Sequence, residues 1–233
     1  MLRFNKFFPS DVLTLVTDKR INFALPKEGE PFTEGQRQFL NTVLAGARCG
    51  VVNVRQVHGC RVILGTPQYL KRTAIGRADA VVTNIPRLPI AVRTADCLPV
   101  FIFDPKNKAI GVVHAGWKGT KKQVVPAAVK LMRKKFRSRA KDLKVAFGPS
   151  IKNCCYQVGK EFKRHFPKDV KMTPVGLCLD LPMVNRRQLV SLGVSAKNIL
   201  DGGACTFCSG KFFSFRRDGE KAGRMLSVMM LKK

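Results

Sequence analysis

Two residues that commonly bind metal ions, Cys97 and His114, stand at the ends of two short apolar segments. These segments, residues 100–103 and 110–113, are predicted to be β-strands because they are short and rich in Val, Ile and Phe. The residues between them include Asp104-Pro105-Lys106-Asn107, a composition typical of a tight turn. A hairpin with this turn returns the chain to its starting point, so we expect His114 to lie beside Cys97.

A third candidate ligand, His58, follows the apolar run at residues 51–57 and precedes a glycine. The chain has three histidines, and both His58 and His114 are followed by small residues, which allow the backbone to approach a bound group closely. His165 lies in an amphipathic segment and is predicted to be an ordinary surface residue. Two imidazoles and one thiolate with an open fourth position form the ligand set of a catalytic zinc site. The alternative is that Cys97 is a buried apolar thiol and each histidine is structural.

Four further cysteines form two pairs that are far apart in the sequence. Cys205 and Cys208 make a Cys-x-x-Cys pattern, whereas Cys154 and Cys155 are adjacent. These four could in principle form a structural zinc site, but an adjacent pair does not have the spacing of a zinc knuckle. We therefore predict that these four cysteines pack in the core. The irregular spacing of all eight cysteines does not indicate a disulfide framework.

The composition is that of a folded protein with an unusually basic surface. Hydrophobic residues make up 45% of the 233 residues, and the formal net charge is +28. The simplest interpretation is a solvated basic surface; the alternatives are steering of an anionic substrate and non-specific nucleic-acid binding. The first twenty residues carry several charges, and no apolar run is long enough to span a bilayer. We therefore expect a cytoplasmic protein that does not associate with membranes.

The order of predicted elements favours the α/β class, with mixed β-sheets, flanking helices and one domain over residues 1–233. Helices occur singly between strands, and a loop rich in Pro, Glu and Gly is expected at residues 26–33. Besides the hairpin, strands are predicted at residues 12–16, 51–57, 61–64, 79–83, 90–93, 144–147, 212–216 and 225–231. Helices are predicted at residues 34–45, 160–166 and 182–192, and along an apolar stripe that runs from Val125 to Phe136. Pro126 lies either in the first turn of that helix or at a kink.

Seven further motifs follow one another along the chain. They are Gln56-Val57-His58-Gly59, Ala78-Asp79-Ala80, Thr94-Ala95-Asp96-Cys97-Leu98-Pro99, His114-Ala115-Gly116-Trp117-Lys118-Gly119, Gly148-Pro149-Ser150-Ile151, Cys205-Thr206 and Phe213-Ser214-Phe215-Arg216-Arg217. Taken in this order, the motifs resemble the laccase-domain (YfiH-like) family of purine nucleoside phosphorylases. The resemblance runs from about residue 51 to the C-terminus.

The resemblance implies a function for this chain. In the family, the matching histidine, cysteine and histidine bind a catalytic zinc, which implies one zinc ion on His58, Cys97 and His114. It also implies phosphorolysis of adenosine, inosine and methylthioadenosine with inorganic phosphate, together with hydrolytic deamination of adenosine. Candidate substrate-binding residues are Gln56, Asp96, Ser150 and Arg216. Arg216 is a candidate for balancing phosphate charge, and Asp96 for carrying a proton or for holding a ligand histidine.

Three other functions remain open on the same residues. A multicopper cluster needs many imidazoles, which the three histidines do not supply, although a single copper ion on two histidines and a cysteine stays possible. Without a metal, Cys97 activated by His114 could act as the nucleophile of an amidase, for example in editing cell-wall precursors. The chain could also be a nucleic-acid-binding module with a structural zinc.

Overall fold

The computed structural model describes residues 1–24, 32–48, 50–70 and 76–233. The strands of these residues are β1 (Val12–Val16), β2 (Val52–Asn53), β3 (Val62–Leu64), β4 (Ala80–Thr83), β5 (Ile90–Thr94), β6 (Leu98–Asp104), β7 (Ala109–Ala115), β8 (Lys144–Phe147), β9 (Val170–Thr173), β10 (Gly176–Leu179), β11 (Ile199–Asp201) and β12 (Met225–Leu231). The α-helices are α1 (Glu34–Val43), α2 (Trp117–Lys121), α3 (Val124–Phe136), α4 (Phe162–His165), α5 (Leu181–Ser191) and α6 (Phe215–Asp218). Short 3-10 turns occur at Pro67–Tyr69, Ala140–Asp142, Ala196–Asn198 and Gly219–Lys221.

The strands form two large sheets and one small hairpin. One sheet has the order β1-β12-β5-β2, and the other has the order β11-β8-β6-β7-β4-β3. Both large sheets mix parallel and antiparallel pairs, because β2 runs parallel to β5 and β11 runs parallel to β8. Strands β9 and β10 form a separate two-stranded sheet. The predicted α/β class with mixed sheets and flanking helices is confirmed.

The two large sheets stack face to face, and helices cover their outer faces. Phe101 and Phe103 of β6 point into the core between the sheets, together with Met225 and Met229 of β12. The alternate residues of β6 pack instead against helices α3 and α5. On the far side of the smaller sheet, alternate residues of β12 meet helix α1. Because these strands are buried on both faces, their sequences are continuous apolar runs rather than alternating ones.

The predicted hairpin that carries two of the candidate ligands is confirmed. Strands β6 and β7 pair antiparallel along their whole length, with Leu98 opposite Ala115 and Asp104 opposite Ala109. Asp104 closes the turn by accepting hydrogen bonds from the backbone N–H groups of Lys106 and Asn107. This register brings Cys97, just before β6, next to Gly116, just after β7.

Several predicted elements differ from the observed ones. Residues 51–57 contain only the two-residue strand β2, and residues 160–166 contain the short helix α4. The strand predicted at residues 212–216 is wrong, because Ser214 caps a helical turn by accepting a hydrogen bond from the Arg217 N–H. Helix α3 begins at Val124, so Pro126 lies in its first turn. Of the two alternatives predicted for Pro126, the first turn is therefore correct. The loop expected at residues 26–33 lies mostly outside the described residues.

Among the described residues, no helix is both long and apolar enough to cross a bilayer.

Candidate metal centre and its cavity

Three potential ligands converge where the hairpin ends meet the segment after β2. The ligand atoms of His58, Cys97 and His114 all lie within 4.8 Å of one another. The Cys97 Sγ is 3.9 Å from the His58 Nε2, and the two imidazole rings meet edge to face with centroids 4.8 Å apart. The predicted convergence of these three residues is therefore observed. Ligand atoms around one tetrahedral zinc ion are about 3.4–3.8 Å apart, so the donor set fits such an ion with small adjustments.

A buried aspartate, Asp79, holds both histidines in place. One carboxylate oxygen lies 2.9 Å from the His114 Nδ1, which leaves the opposite ring nitrogen to face the cluster. The same carboxylate accepts hydrogen bonds from the backbone N–H groups of Val57, His58 and Gly59. Burial raises the pKa of Asp79, but the hydrogen bonds from His114 and from this backbone outweigh it and lower that pKa. Asp79 therefore remains ionised and joins the two histidine-bearing segments.

Gly116 allows the three ligands to come this close. A Cβ atom at this position would lie 2.8 Å from the Cys97 Sγ and 3.0 Å from the His58 Cδ2. No side chain fits at such distances without displacing a ligand. The approach of Cys97 and His58 to each other therefore requires a glycine two residues after His114.

Cys97 and His114 stabilise each other as a charged pair. Burial raises the pKa of Cys97, but the neighbouring His114 and His58 outweigh it and lower the pKa to about 6. Burial lowers the pKa of His114, but the Cys97 thiolate and Asp79 outweigh it and raise the pKa to about 9. The environment therefore favours the thiolate, which is the form that binds metals and attacks electrophiles.

The three ligands face a cavity of 780 Å³ that is large enough for a nucleoside-sized molecule. Aromatic side chains from Trp117, Tyr156 and Phe215 contribute to its wall. Five basic side chains line the cavity, against two acidic ones. The basic residues are Arg55, Arg93, Lys118, Arg216 and Arg224, and the acidic residues are Asp96 and Glu220. The lining therefore combines flat apolar surfaces with excess positive charge.

Two of the arginines are positioned by nearby aromatic rings. The Arg216 guanidinium lies over Tyr156, 5.3 Å from the ring centroid, and donates a hydrogen bond to the Gln157 carbonyl. Arg224 lies 5.8 Å from the centroid of the Phe215 ring.

Burial, with a smaller contribution from the charge of Arg224, lowers the pKa of Arg93 to about 10. Arg93 nevertheless stays charged at neutral pH.

Asp96 connects the cavity to the C-terminal segment instead of holding a ligand histidine. Its two carboxylate oxygens accept hydrogen bonds from the Thr206 hydroxyl at 2.5 Å and from the Arg216 N–H at 2.6 Å. Its backbone has a φ of 81°, a left-handed conformation that is uncommon for a residue with a side chain. Of the two roles considered for Asp96, the histidine partner is therefore wrong, since Asp79 holds His114.

The remaining predicted substrate contacts differ in their access to the cavity. Gln56 lines it, but its side-chain amide exchanges two hydrogen bonds with the backbone of Arg93, which gives it a positioning role. Ser150 is fully buried and pairs with Cys205 behind the wall. A direct substrate contact by Ser150 is therefore not supported. Its neighbour Ile151 lines the cavity instead.

Sequence reasoning did not identify Asp79 or Tyr156 as parts of the site. Asp79 lies within one of the family motifs quoted above, and an aspartate at the start of an apolar strand was an available signal. Tyr156 follows the adjacent cysteines, which gave no indication that its ring would face the cavity. Arg217, which follows Arg216 in the last of the motifs, donates hydrogen bonds to the carbonyl groups of Thr206, Phe207 and Phe212.

Comparison with known proteins places this chain in a family. The sequence profile of the family described as "Multi-copper polyphenol oxidoreductase laccase" matches residues 28–232. The chain belongs to this family. It is similar to a protein of Aquifex aeolicus named purine nucleoside phosphorylase, with 38% identity over 66% of this chain and 71% of that protein. It is also 34% identical to a protein of an unknown prokaryotic organism named adenosine deaminase RL5, over 78% of this chain and 75% of that protein.

Solved structures share the same architecture. The crystal structure of YlmD from Geobacillus stearothermophilus matches with a TM-score of 0.84 and 26% identity, over 96% of this chain and 93% of that chain. A Neisseria meningitidis protein matches with a TM-score of 0.84 and 25% identity, over 100% of this chain and 99% of that chain. The resemblance stated from the sequence motifs is thus confirmed.

Proposed function

We propose that this protein is a zinc-dependent purine nucleoside phosphorylase that also deaminates adenosine. The observation that carries the proposal is the ligand triad, with all ligand atoms within 4.8 Å, facing a basic and aromatic cavity. The names of the two relatives described above support both activities. We further propose that adenosine, inosine and methylthioadenosine are substrates and that the protein is cytoplasmic.

The donor set favours zinc over copper at this position. Two imidazoles, one thiolate and an accessible fourth position suit a zinc ion that must also meet a reactant. When bound by His58, Cys97 and His114, zinc would supply a Lewis acid that polarises a substrate oxygen or a water molecule. The three histidines of the chain are too few for a multicopper cluster.

The other cavity residues have roles that follow from their chemistry. Trp117, Tyr156 and Phe215 offer flat faces on which a purine ring can stack. Burial strongly raises the pKa of Tyr156, so its phenol stays protonated and can donate a hydrogen bond to substrate. Arg216, together with Arg224, would neutralise the charge of phosphate while a phosphate oxygen attacks the anomeric carbon of the ribose, the bond from that carbon to the purine breaks and the base leaves with a proton.

A direct assay tests the proposal. The zinc-loaded protein is incubated with inosine or adenosine, with and without inorganic phosphate, and free base and inosine are measured. We expect release of free base only with phosphate, conversion of adenosine to inosine without it, and loss of both after chelation with recovery on adding zinc. Absence of turnover by the zinc-loaded protein on both inosine and adenosine would contradict the proposal.

Replacing Arg216 tests the phosphate contact separately. In Arg216→Ala we expect the KM for phosphate to rise by about tenfold or more, because a hydrogen bond to a charged group contributes about 1.5–3 kcal/mol. The rate of deamination, which uses no phosphate, should fall less than the rate of phosphorolysis. Arg139→Ala is the matched control, since Arg139 pairs with Asp142 and does not line the cavity. Equal KM values in the two variants would exclude Arg216 from phosphate binding.

A second candidate function is a cysteine-dependent amidase. The specific observation in its favour is the Cys97 thiolate beside the His114 imidazolium, the arrangement of an activated nucleophile. Chelation distinguishes the two functions, because an amidase of this type keeps its activity without metal. A substrate analogue that becomes covalently attached to Cys97 would support the amidase.

A further inference from the structure

The two cysteine pairs that are far apart in the sequence form one compact group of four thiols at the surface. Cys154, Cys155, Cys205 and Cys208 have sulfur atoms that all lie within 4.8 Å of one another. The Cys208 Sγ is 3.2 Å from the Sγ of Cys155 and 3.8 Å from that of Cys154. Cys154 and Cys208 are exposed, and the other two are partly buried. The prediction that these cysteines pack in the core is therefore wrong.

We propose that these four cysteines, here called the cysteine cluster, bind a structural zinc ion. Four thiolates around one zinc ion lie about 3.8 Å apart, since each Zn–S bond is about 2.3 Å and the geometry is tetrahedral. Two of the sulfur–sulfur separations are 3.2 and 3.8 Å, and the others do not exceed 4.8 Å. All four thiols are free, and the separations are well beyond the length of a disulfide, about 2.05 Å. The proposal does not depend on the function of the cavity.

Local backbone conformation explains how adjacent cysteines reach one point. Cys154 and Cys155 lie in a turn in which the N–H groups of Cys155 and Tyr156 both donate to the Lys152 carbonyl. In a helical turn, successive side chains are about 100° apart around the axis, whereas in a strand they point in opposite directions. Both sulfurs therefore face Cys208. The adjacent pair lacks the spacing of a zinc knuckle, but this turn brings both of its sulfur atoms to the same side.

One cation lies beside the loop at residues 205–208. The guanidinium of Arg217 donates hydrogen bonds to the carbonyl groups of Thr206 and Phe207, inside this loop, and also pairs with the carboxylate of Asp218. A zinc ion with four thiolates carries a net charge of about −2, so a nearby cation stabilises it.

The cluster ties together two segments that shape the cavity. Backbone hydrogen bonds between Ser150 and the Ala204–Thr206 segment bring the segments side by side. Next to the cysteines, Tyr156 lines the cavity and Thr206 donates to the carboxylate of Asp96. An ion on the cluster would therefore fix the wall that carries Tyr156 and Arg216, beyond its effect on global stability.

Metal content of wild-type protein and matched variants tests the proposal. We expect two zinc ions per chain in protein purified under reducing conditions. The Cys208→Ser variant should lose the ion of the cysteine cluster and retain the ion bound by His58, Cys97 and His114. Its Tm should be lower by about 5 °C or more. Cys97→Ala should lose the other ion and keep the cluster ion. Cys60→Ser is the control, because Cys60 is exposed and outside both groups; it should keep both ions.

A measurement on the wild type makes the test independent of whether the variants fold. In zinc-loaded protein, the exposed thiols of Cys154 and Cys208 should resist alkylation, while that of Cys60 reacts; chelation should make all three reactive. Equal alkylation of these residues before chelation would overturn the proposal. So would a single zinc ion that is lost completely in Cys97→Ala, iron in place of zinc, or a disulfide between Cys155 and Cys208 in the reduced preparation.

Discussion

The Cys97→Ala variant is expected to lose both the metal of the histidine site and all measurable turnover. Cys97 is the only anionic ligand of the triad, and without it the ion would be held by the imidazoles of His58 and His114 alone. We expect phosphorolysis and deamination to fall by about 10³-fold or more, because the Lewis acid is lost together with the ligand. The measurements are zinc content and the release of free base from inosine with phosphate.

Cys178→Ala is the matched control for this substitution. Cys178 is buried, but it belongs to neither group of potential ligands, so its variant should keep its zinc and its turnover. Undiminished turnover by metal-free Cys97→Ala would refute a role for this triad in catalysis. Turnover of wild type that survives chelation but is lost in the variant would instead favour the amidase.

Asp79→Asn is expected to weaken metal binding although Asp79 does not face the metal. The carboxylate accepts hydrogen bonds from the backbone of Val57, His58 and Gly59 and from the His114 ring, and an amide replaces one of its acceptor oxygens with a donor. We expect zinc affinity to fall by about 10–100-fold. The free energy of unfolding should fall by about 1–3 kcal/mol, because buried N–H groups lose their partner.

Asp104→Asn separates these two effects. Asp104 is also fully buried, and it accepts hydrogen bonds from backbone N–H groups in the turn of the β6–β7 hairpin, at the end opposite Cys97 and His114. Its substitution should lower stability by a similar amount and leave zinc affinity unchanged. If both variants lost zinc equally, the effect of Asp79 would be one of general stability. Competition with a chromophoric chelator and denaturant unfolding provide the two measurements.

Local sequence was sufficient to predict the hairpin and its ligands. Strands β6 and β7 are uninterrupted apolar runs joined by Asp, Pro and Asn, so their pairing and the meeting of Cys97 with His114 follow from short-range rules. The exact bounds of β1, β8 and β12 were also predictable, because each is an apolar run between polar or glycine-rich segments. The position of His58 was harder to predict, because it depends on the fold around β2 and not on local sequence alone.

Features that depend on contacts distant in sequence were not predictable. The role of Asp79 arises from partners that precede it by about twenty residues and follow it by thirty-five. Cys154 and Cys205 meet because two loops run side by side, and no periodicity encodes that pairing. Strands β9 and β10 were missed because they are short and partly exposed, with Lys171 and Met172 pointing to solvent. Residues 212–216 have a strand-like composition, but the hydrogen bond from the Arg217 N–H to the Ser214 hydroxyl stabilises a helical turn instead.

The hydrogen-bonded position of Asp79 has a consequence for how an ion enters and leaves. The imidazole of His114 and the backbone around His58 are oriented by a carboxylate that belongs to the protein interior, so hydrogen bonds of the fold itself hold them in position. Binding of an ion would then require the release of protons but no folding of the chain. We therefore expect the ion to exchange while the surrounding sheets stay intact.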